Sequence, residues 1–177
     1  MSGELTDRVA LVTGGGKGIG AAISRSLAAM GASVHVNYRS DKAAAEAVAR
    51  EIGGTAVQCD VSDGAAVEKM IKAIGRVDVL VNNAGAVRDR LLLRMTDADW
   101  NDIIATDLTA AFHTTKATLA GGMLRNRWGR IVNMSSVVGI TGNPGQANYA
   151  AAKAGLSVSP RRSRRRSAPA ASPPPRT

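Results

Sequence analysis

Tyr149 and Lys153 form the residue pair whose types and spacing point most directly to chemistry. They stand four residues apart in an Ala-rich stretch that predicts a helix, so both side chains project from one face. A free phenol has a pKa of about 10, and a neighbouring ammonium favours its ionised form, which allows proton exchange with a substrate oxygen. Ser136 follows a predicted strand and could hydrogen-bond the same oxygen. We therefore predict that Ser136, Tyr149 and Lys153 are catalytic, although an isolated Tyr-x3-Lys pair is usually only part of a helix surface.

A glycine-rich turn, TGGGKGIG at 13–20, follows the first predicted strand and leads into a helix. Its glycines have the spacing Gly-x3-Gly-x-Gly. Glycines let the backbone turn tightly and approach a pyrophosphate, whose negative charge the N-terminus of the next helix favours. An ordinary tight turn is the alternative. The turn predicts a dinucleotide site that uses Gly14, Lys17, Gly18, Ile19 and Gly20.

The end of the second predicted strand indicates which dinucleotide is bound. An acidic side chain at this point accepts a hydrogen bond from the ribose 2′-hydroxyl of NAD and would repel a 2′-phosphate. Here the strand ends in NYRS at 37–40, and no carboxylate occurs before Asp41. Arg39 and Lys17 supply cations for a phosphate, so NADPH is the predicted cofactor. The alternative is that both cations are solvated surface charges.

Two later strand ends carry further residues suited to a nucleotide. Asp60, which precedes Val61, could accept a hydrogen bond from an adenine amino group. The run NNAG at 82–85 is small enough to admit a flat ring and a ribose. Either feature alone is also ordinary turn chemistry. Together they predict one crevice that is lined by Asp60, Val61, Asn82, Ala84 and Gly85.

Short apolar runs alternate with Ala-rich stretches of helical length. The predicted strands are 8–12, 33–37, 55–58, 77–82 and 130–134, and the predicted helices are near 18–30, 41–52, 63–74, 98–125 and 147–158. Near-continuous apolar strands separated by helices predict a parallel sheet covered on both faces, with right-handed crossovers. We therefore predict an α/β fold with a doubly wound, Rossmann-like parallel sheet. Such sheets bind ligands beyond the carboxyl ends of their strands, where the motifs above occur.

Composition excludes several other classes of protein. The 177 residues suffice for one domain with a sizeable core. Apolar runs fall short of the roughly 18–20 residues of a membrane span, and the N-terminus does not have the pattern of a secretory signal. The single cysteine, Cys59, fits the reducing cytoplasm, which is the predicted location.

The net charge of +9 is concentrated near the C-terminus. Six of the 23 basic residues are arginines within 160–177, a stretch without acidic residues. The remainder has 17 basic and 14 acidic residues, a net charge of +3, which argues against nucleic-acid binding by the body of the protein. Neither nucleic acid nor a membrane is a predicted partner.

These motifs together resemble the short-chain dehydrogenase/reductase family. The resemblance covers nearly all of residues 5–156 and is carried by the glycine turn, Asp60-Val61, NNAG and MSSVVGITGNPGQANYAAAKAGL at 134–156. Within the family, VRDRLLLRMTDADWNDII at 87–104 and the end of the 134–156 stretch are most similar to the 3-oxoacyl-[acyl-carrier-protein] reductases. That branch implies NADPH-dependent reduction of a 3-oxoacyl thioester in fatty acid synthesis.

The resemblance also implies roles for individual residues. Tyr149 would donate the proton, Ser136 would orient the carbonyl, and Lys153 would hold the ribose and tune Tyr149. The acidic acyl carrier protein of the family docks on basic residues beside the active site, for which Arg125 and Arg127 are candidates, although surface solvation explains both equally well. Acetoacetyl-CoA reductase and a catalytically inactive dinucleotide-binding fragment are the alternative functions.

Asp107 departs from the family pattern. The family has Thr-Asn-Leu here, with an Asn whose backbone carbonyl holds a proton-relaying water, whereas this chain has Thr-Asp-Leu at 106–108. The carbonyl is unchanged, so the relay can persist, but a carboxylate near Lys153 would alter the electrostatics at Tyr149. We count Asp107 among the candidate catalytic residues and expect it to reduce activity without abolishing it.

Residues 159–177 depart from the family more severely. After Leu156 the family continues its catalytic helix and adds two strands and a substrate lid, whereas this chain reads SVSPRRSRRRSAPAASPPPRT. Five of the six prolines lie in this stretch, which predicts a disordered tail after a Rossmann-type domain at 1–158. We interpret the tail as the product of a frameshift or truncation, with a basic arm for an acidic partner as the alternative.

That interpretation carries expectations for the whole chain. The last two strands of the family fold would be missing, and the fifth strand would become an exposed sheet edge. Family members tend to form homotetramers, and the interfaces that do so would be compromised here. We expect weak stability and little reductase activity from the chain as given.

Overall fold

The computed structural model describes residues 3–157, so the predicted tail at 159–177 lies outside the described residues. The strands are β1 (Val9–Val12), β2 (Ser33–Tyr38), β3 (Thr55–Gln58), β4 (Val79–Asn82) and β5 (Arg130–Asn133). The α-helices are α1 (Gly18–Ala29), α2 (Lys42–Glu51), α3 (Gly64–Ile74), α4 (Asp97–Ile103), α5 (Ala110–Thr118), α6 (Val138–Thr141) and α7 (Ala147–Ser157). The π-helical segments Ile104–Thr109 and Leu119–Met123 continue α4 and α5, and a 3₁₀ turn covers Leu92–Arg94.

The strands form one parallel sheet in the order β3-β2-β1-β4-β5. β1 lies at the centre, and its Val12 is in register with Val36 of β2 on one side and Val81 of β4 on the other. The chain leaves β1 first toward β2 and β3 and later toward β4 and β5, so the topology switches direction between β1 and β4. The predicted doubly wound α/β fold is confirmed. Within residues 3–157, β5 pairs with β4 alone.

Helices cover both faces of the sheet, which explains why the strands are apolar at successive positions. Ala10 and Val12 of β1 belong to a core that also contains buried residues of α1 and α2. Leu11, between them, points to the opposite core, against α3, the start of α5 and Met123. Both cores consist mainly of Ala, Val, Leu, Ile and Met, because the chain has few aromatic side chains to place there.

Side-chain caps fix where three of the helices begin. Asp41 accepts a hydrogen bond from the N–H of Ala44 and caps α2. Asp63 caps α3 in the same way, and Thr96 and Asp99 form a reciprocal capping box on α4. Each cap satisfies backbone N–H groups that would otherwise lack partners in the first helical turn.

The structure differs from the predicted elements in three respects. β4 begins at Val79 rather than residue 77, and the carboxylate of Asp78 just before it accepts hydrogen bonds from the N–H of Val9 and from Arg76. The helix predicted at 98–125 contains the two π-helical segments, and the second one has non-helical backbone at Gly122. The four-residue α6 and the three-residue 3₁₀ turn were not predicted, because such short elements leave no periodic pattern. Across residues 3–157, none of the helices has both the length and the hydropathy required to cross a bilayer.

Candidate active site

A cleft of about 310 Å³ opens at the carboxyl ends of β1 to β4, beside the point where the topology switches. Its walls come from the glycine turn, from the segments that follow β2, β3 and β4, and from Thr106. The lining residues are Gly14, Gly16, Lys17, Asn37, Tyr38, Arg39, Ser40, Asp41, Ala44, Cys59, Asp60, Val61, Ala84, Gly85, Ala86 and Thr106. The cleft therefore brings together most of the residues predicted to bind a cofactor.

The glycine turn forms one end of the cleft and requires glycine for physical reasons. Gly14 has a φ of +62°, which L side chains rarely adopt, and a Cβ there would lie 3.1 Å from the Cα of Ala84. A Cβ on Gly20 would overlap the carbonyl of Gly14. Gly18, the first residue of α1, faces open space, so the N-terminus of this 12-residue helix is accessible. Ile19 is also exposed there.

Thr13 and Asn83 tie the glycine turn to the segment after β4, and neither was among the predicted site residues. The Thr13 hydroxyl oxygen accepts from the N–H groups of Asn83 and Ala84, at 3.0 and 2.9 Å. The amide of Asn83 donates to the carbonyls of Thr13 and Gly14, at 2.9 and 3.2 Å. These bonds fix the separation of two cleft walls. The only sequence signal for these two residues was that each is polar and directly follows a strand.

Lys17 and Arg39 both line the cleft, but they differ in their partners. Lys17 forms an ion pair with Asp41, so it is not the uncommitted cation that we expected. Arg39 lies close enough to Asp60 to contribute to lowering its pKa. The buried side chain of Asn37, at the end of β2, donates hydrogen bonds to the carbonyls of Val57 in β3 and of Cys59 just after β3.

At the end of β3, the surroundings lower the pKa of Asp60 and raise the pKa of Cys59. Hydrogen bonds from Ser62, at 2.7 Å from its hydroxyl and 2.9 Å from its N–H, lower the pKa of Asp60. Asp60 is therefore ionised at neutral pH and can accept hydrogen bonds. Burial, together with the charge of Asp60, raises the pKa of Cys59 to about 11. The thiol stays protonated and is a poor nucleophile.

Asn82 does not fit our expectation for the crevice. Its side chain is buried at the end of β4, where its amide donates to Asn133 at 2.8 Å and to Thr115 at 3.2 Å. Its carbonyl oxygen accepts from the hydroxyl of Thr114 at 2.6 Å. The side chain thus contacts β5 and α5, and Asn82 is not among the residues that line the cleft.

Lys153 lies on α7, one helical turn after the half-buried Tyr149, as the sequence predicted. Its side chain is only 6% exposed. The ammonium donates a hydrogen bond to the carbonyl of Met134 at 3.1 Å, and it lies 5.4 Å from the centroid of the Tyr149 ring. A buried ammonium at this distance acts electrostatically on the phenol.

Asp107 places a carboxylate directly against this ammonium. Its Oδ2 is 3.1 Å from Nζ of Lys153, and its Oδ1 accepts from the N–H of Ala86 at 2.8 Å. The side chain is completely buried, and it belongs to the π-helical segment that follows α4. π-Helical segments of this kind occur frequently at functional sites, because the extra residue redirects neighbouring side chains. The carboxylate that we expected near Lys153 is thus in contact with it.

Ser136 lies between β5 and α6, and two neighbours position its segment. Its hydroxyl oxygen accepts from the N–H of Val138 at 3.2 Å. Gly139 lets α6 pack closely on α7, since a Cβ there would lie 2.7 Å from the N of Ala154. Ser135 donates to the carbonyl of Lys153 at 2.8 Å. These contacts join the Ser136 segment to the helix that carries the other candidate catalytic residues.

Asn148 is a positioning residue that sequence reasoning missed. It is fully buried, and its amide donates to the carbonyls of Arg88 and Asp99, at 3.2 and 2.9 Å. Its carbonyl oxygen accepts from the N–H of Tyr149 at 2.8 Å. It therefore anchors the start of α7 to the loop after β4 and to α4. A polar residue next to Tyr149 was the only sequence signal.

Arg125 and Arg127 lie in the segment between α5 and β5, shortly before Ser136 in the chain. α5 leads away from Asp107, and the chain re-enters the sheet at Arg130, whose N–H donates to the carbonyl of Asp78 just before β4. The two arginines precede this point and lie toward the amino edge of the sheet, opposite the cleft. That they receive an acyl carrier protein stays a prediction.

Comparisons with known proteins agree with this geometry. The family model described as short chain dehydrogenase matches residues 8–169. The chain is 51% identical over 161 residues to a 3-oxoacyl-[acyl-carrier-protein] reductase of Synechocystis sp., covering 86% of this chain and 65% of that protein. It is 48% identical over 155 residues to the reductase FabG of Escherichia coli, with shares of 84% and 63%. For FabG of Staphylococcus aureus the identity is 50% over 157 residues, with shares of 83% and 63%.

The chain thus spans less than two thirds of the length of each of these relatives. The match to the family model nevertheless includes every strand of the sheet, the whole cleft and the segment that carries Ser136, Tyr149 and Lys153. The sequence motifs, the parallel sheet and the family match all lead to one assignment. The chain belongs to the short chain dehydrogenase family.

Proposed function

We propose that this chain carries the site for NADPH-dependent reduction of a 3-oxoacyl thioester, with an acyl carrier protein as the carrier, in fatty acid synthesis. The observation that supports this most strongly is the buried ammonium of Lys153, 5.4 Å from the Tyr149 ring at the carboxyl edge of the sheet. The printed names of relatives that are about half identical support the substrate class.

The cleft fits a dinucleotide. Gly18, at the start of α1, faces open space, so a pyrophosphate can approach the helix N-terminus there. At the other end, the ionised Asp60 is suited to an adenine amino group. Arg39 and Lys17 offer positive charge to a ribose phosphate. Ala84 and Gly85 leave room for a flat ring.

The chemistry divides between the cofactor and the protein. When bound, NADPH supplies the hydride that adds to the 3-oxo carbon. Tyr149 donates its phenolic proton to the oxygen of that carbon, which completes the 3-hydroxyacyl product. Ser136 donates a hydrogen bond to the same oxygen and orients it. Lys153 stabilises the phenolate left on Tyr149 through its positive charge, and a proton from solvent restores the phenol.

Tyr149→Phe tests this proposal, because it removes the proton donor and leaves the ring. We expect turnover of acetoacetyl thioesters to fall by at least about 100-fold, the usual contribution of a general acid. NADPH oxidation measures turnover, and NADPH fluorescence measures cofactor binding in the same samples. Binding should be retained, since the phenyl ring still packs beside Lys153.

Two outcomes would count against the proposal. Equal turnover by the Tyr149→Phe variant would remove Tyr149 from the mechanism. Cofactor binding by the unmodified chain without any turnover would leave a dinucleotide-binding protein, not a reductase. A preference for the carrier-protein thioester over the coenzyme A thioester would support the proposed carrier, and the reverse preference would favour an acetoacetyl-CoA reductase.

A further inference from the structure

Asp41 links two parts of the chain that line the cleft, the glycine turn and the start of α2. Its Oδ1 accepts from the N–H of Ala44 at 3.0 Å and caps α2. Its Oδ2 forms the ion pair with Lys17, the residue that precedes α1. Lys17, Arg39 and Asp41 all line the cleft. A carboxylate therefore lies in the part of the cleft, lined by Lys17 and Arg39, where the ribose phosphate of NADPH is expected.

The ion pair is exposed, since the side chains of Lys17 and Asp41 are 67% and 43% accessible. Exposed pairs of this kind are weak, so an incoming phosphate can take Lys17 as its own partner. Asp41 cannot swing far away, because its other oxygen remains engaged with the start of α2. Its negative charge would then oppose the phosphate at close range.

We propose that Asp41 is a specificity-determining residue that restrains Lys17 and limits the preference of the site for NADPH over NADH. The inference rests on the proposed function, because it concerns the ribose end of that cofactor. Its physical basis is that the 2′-phosphate is the only group that distinguishes NADPH from NADH. With NADH the Lys17–Asp41 pair stays intact, so the carboxylate costs that complex nothing. With NADPH the pair must open, and the carboxylate becomes an unfavourable neighbour.

Asp41→Asn removes the charge and keeps an oxygen that can cap α2, since Asn is as good an N-cap as Asp. We expect the Kd of NADPH to fall about 3- to 10-fold, in line with one nearby charge at an exposed site, while the Kd of NADH changes less than about twofold. The fragments 2′,5′-ADP and 5′-AMP should show the same contrast in competition with NADPH fluorescence. Asp41→Ser, which also caps helices, should reproduce the gain if Asp41→Asn folds poorly.

Asp63→Asn is the matched control. Asp63 caps α3 as Asp41 caps α2, but it is not part of the cleft lining. This variant should leave the affinities for both cofactors unchanged. Lys17→Gln supplies the second comparison, because Asp41 is proposed to act through Lys17. In that background only the direct repulsion between Asp41 and the phosphate remains, so Asp41→Asn should increase the affinity for NADPH by less than it does in the parent.

The possible results separate the two proposals. An unmodified chain that binds neither cofactor contradicts the proposed function and this inference with it. A chain that binds both, with a ratio of affinities that Asp41→Asn and Asp41→Ser leave unchanged, overturns the role of Asp41 alone. A full gain that persists in the Lys17→Gln background shows that Asp41 does not act by restraining Lys17, and it also overturns the inference.

Discussion

Among the ion pairs of residues 3–157, only the pair of Lys153 and Asp107 has both side chains buried. Their exposed fractions are 6% and 0%. Two charges removed from water lose hydration energy, and their attraction must offset that loss. Here the carbonyl of Met134 and the N–H of Ala86 supply additional partners. The charge that Lys153 presents to Tyr149 is therefore partly neutralised, so Asp107 should influence the proton transfer proposed for Tyr149.

Asp107→Asn should increase the reductase rate. Asn keeps an oxygen for the N–H of Ala86 but removes the negative charge beside Lys153, so the ammonium acts on Tyr149 without opposition. We expect a rise of up to about 10-fold near neutral pH. Steady-state rates measured from pH 5 to 9 would test this. A variant with no gain in rate at any pH would refute the role assigned to Asp107.

Helix α7, which carries Tyr149 and Lys153, is held by other elements at its first turn and at its middle. Asn148 anchors its first turn, and Gly139 permits the close packing of α6 on its middle. Ser135 then holds the carbonyl of Lys153 from the end of β5. Since Tyr149 and Lys153 have their spacing from the helix itself, these contacts decide where the pair lies relative to the cleft.

Asn148→Ala should weaken both the fold and the site. It removes a fully buried side chain and the three part-buried hydrogen bonds that this side chain makes, and we expect the free energy of unfolding to fall by about 2–4 kcal/mol. The matched control is Asn143→Ala, because Asn143 is exposed and contacts only Gln146 among the described residues. That change should cost less than about 0.5 kcal/mol. Urea denaturation of both variants would decide, and equal midpoints would contradict the anchoring role.

At the scale of the molecule, the sheet carries a partly buried polar side chain, His35, beside a mainly apolar core. His35 lies on β2, in register with Leu11 of β1 and Thr55 of β3. Its buried Nδ1 has no hydrogen-bond partner among the described residues. Burial lowers the pKa of His35, because the charged imidazolium would lose its hydration. The folded state therefore holds His35 neutral at a pH where the unfolded chain begins to protonate it.

His35 should make the stability of the fold depend on pH below neutrality. Because the pKa is lower in the folded state than in the unfolded state, the unfolded chain binds more protons as the pH falls below about 6.5. The free energy of unfolding should then decrease, by at most about 1.4 kcal/mol per pH unit for one proton. Thermal melts of the parent and of His35→Val at pH 8, 7, 6 and 5 would test this. Identical slopes for both proteins would contradict it, and pH 8 serves as the internal reference.

The sequence by itself determined the elements and most of the site. Apolar β-branched runs predicted all five strands to within two residues at either end, because the strands of a parallel sheet covered on both faces are mainly apolar at successive positions. The glycine turn and the Tyr149–Lys153 spacing were also predictable, since local backbone geometry requires them. These features depend on residues that are near one another in the chain.

Only the tertiary structure decided which distant residues meet. The contact of Asp107 with Lys153, the capture of Lys17 by Asp41 and the turning of Asn82 away from the cleft arise from elements far apart in sequence. No local pattern records them, because each depends on how helices pack on the sheet and on the competition between possible partners. The sequence motifs therefore predicted which charged residues lie near the cleft, and the packing of the chain determined which of them form ion pairs with one another.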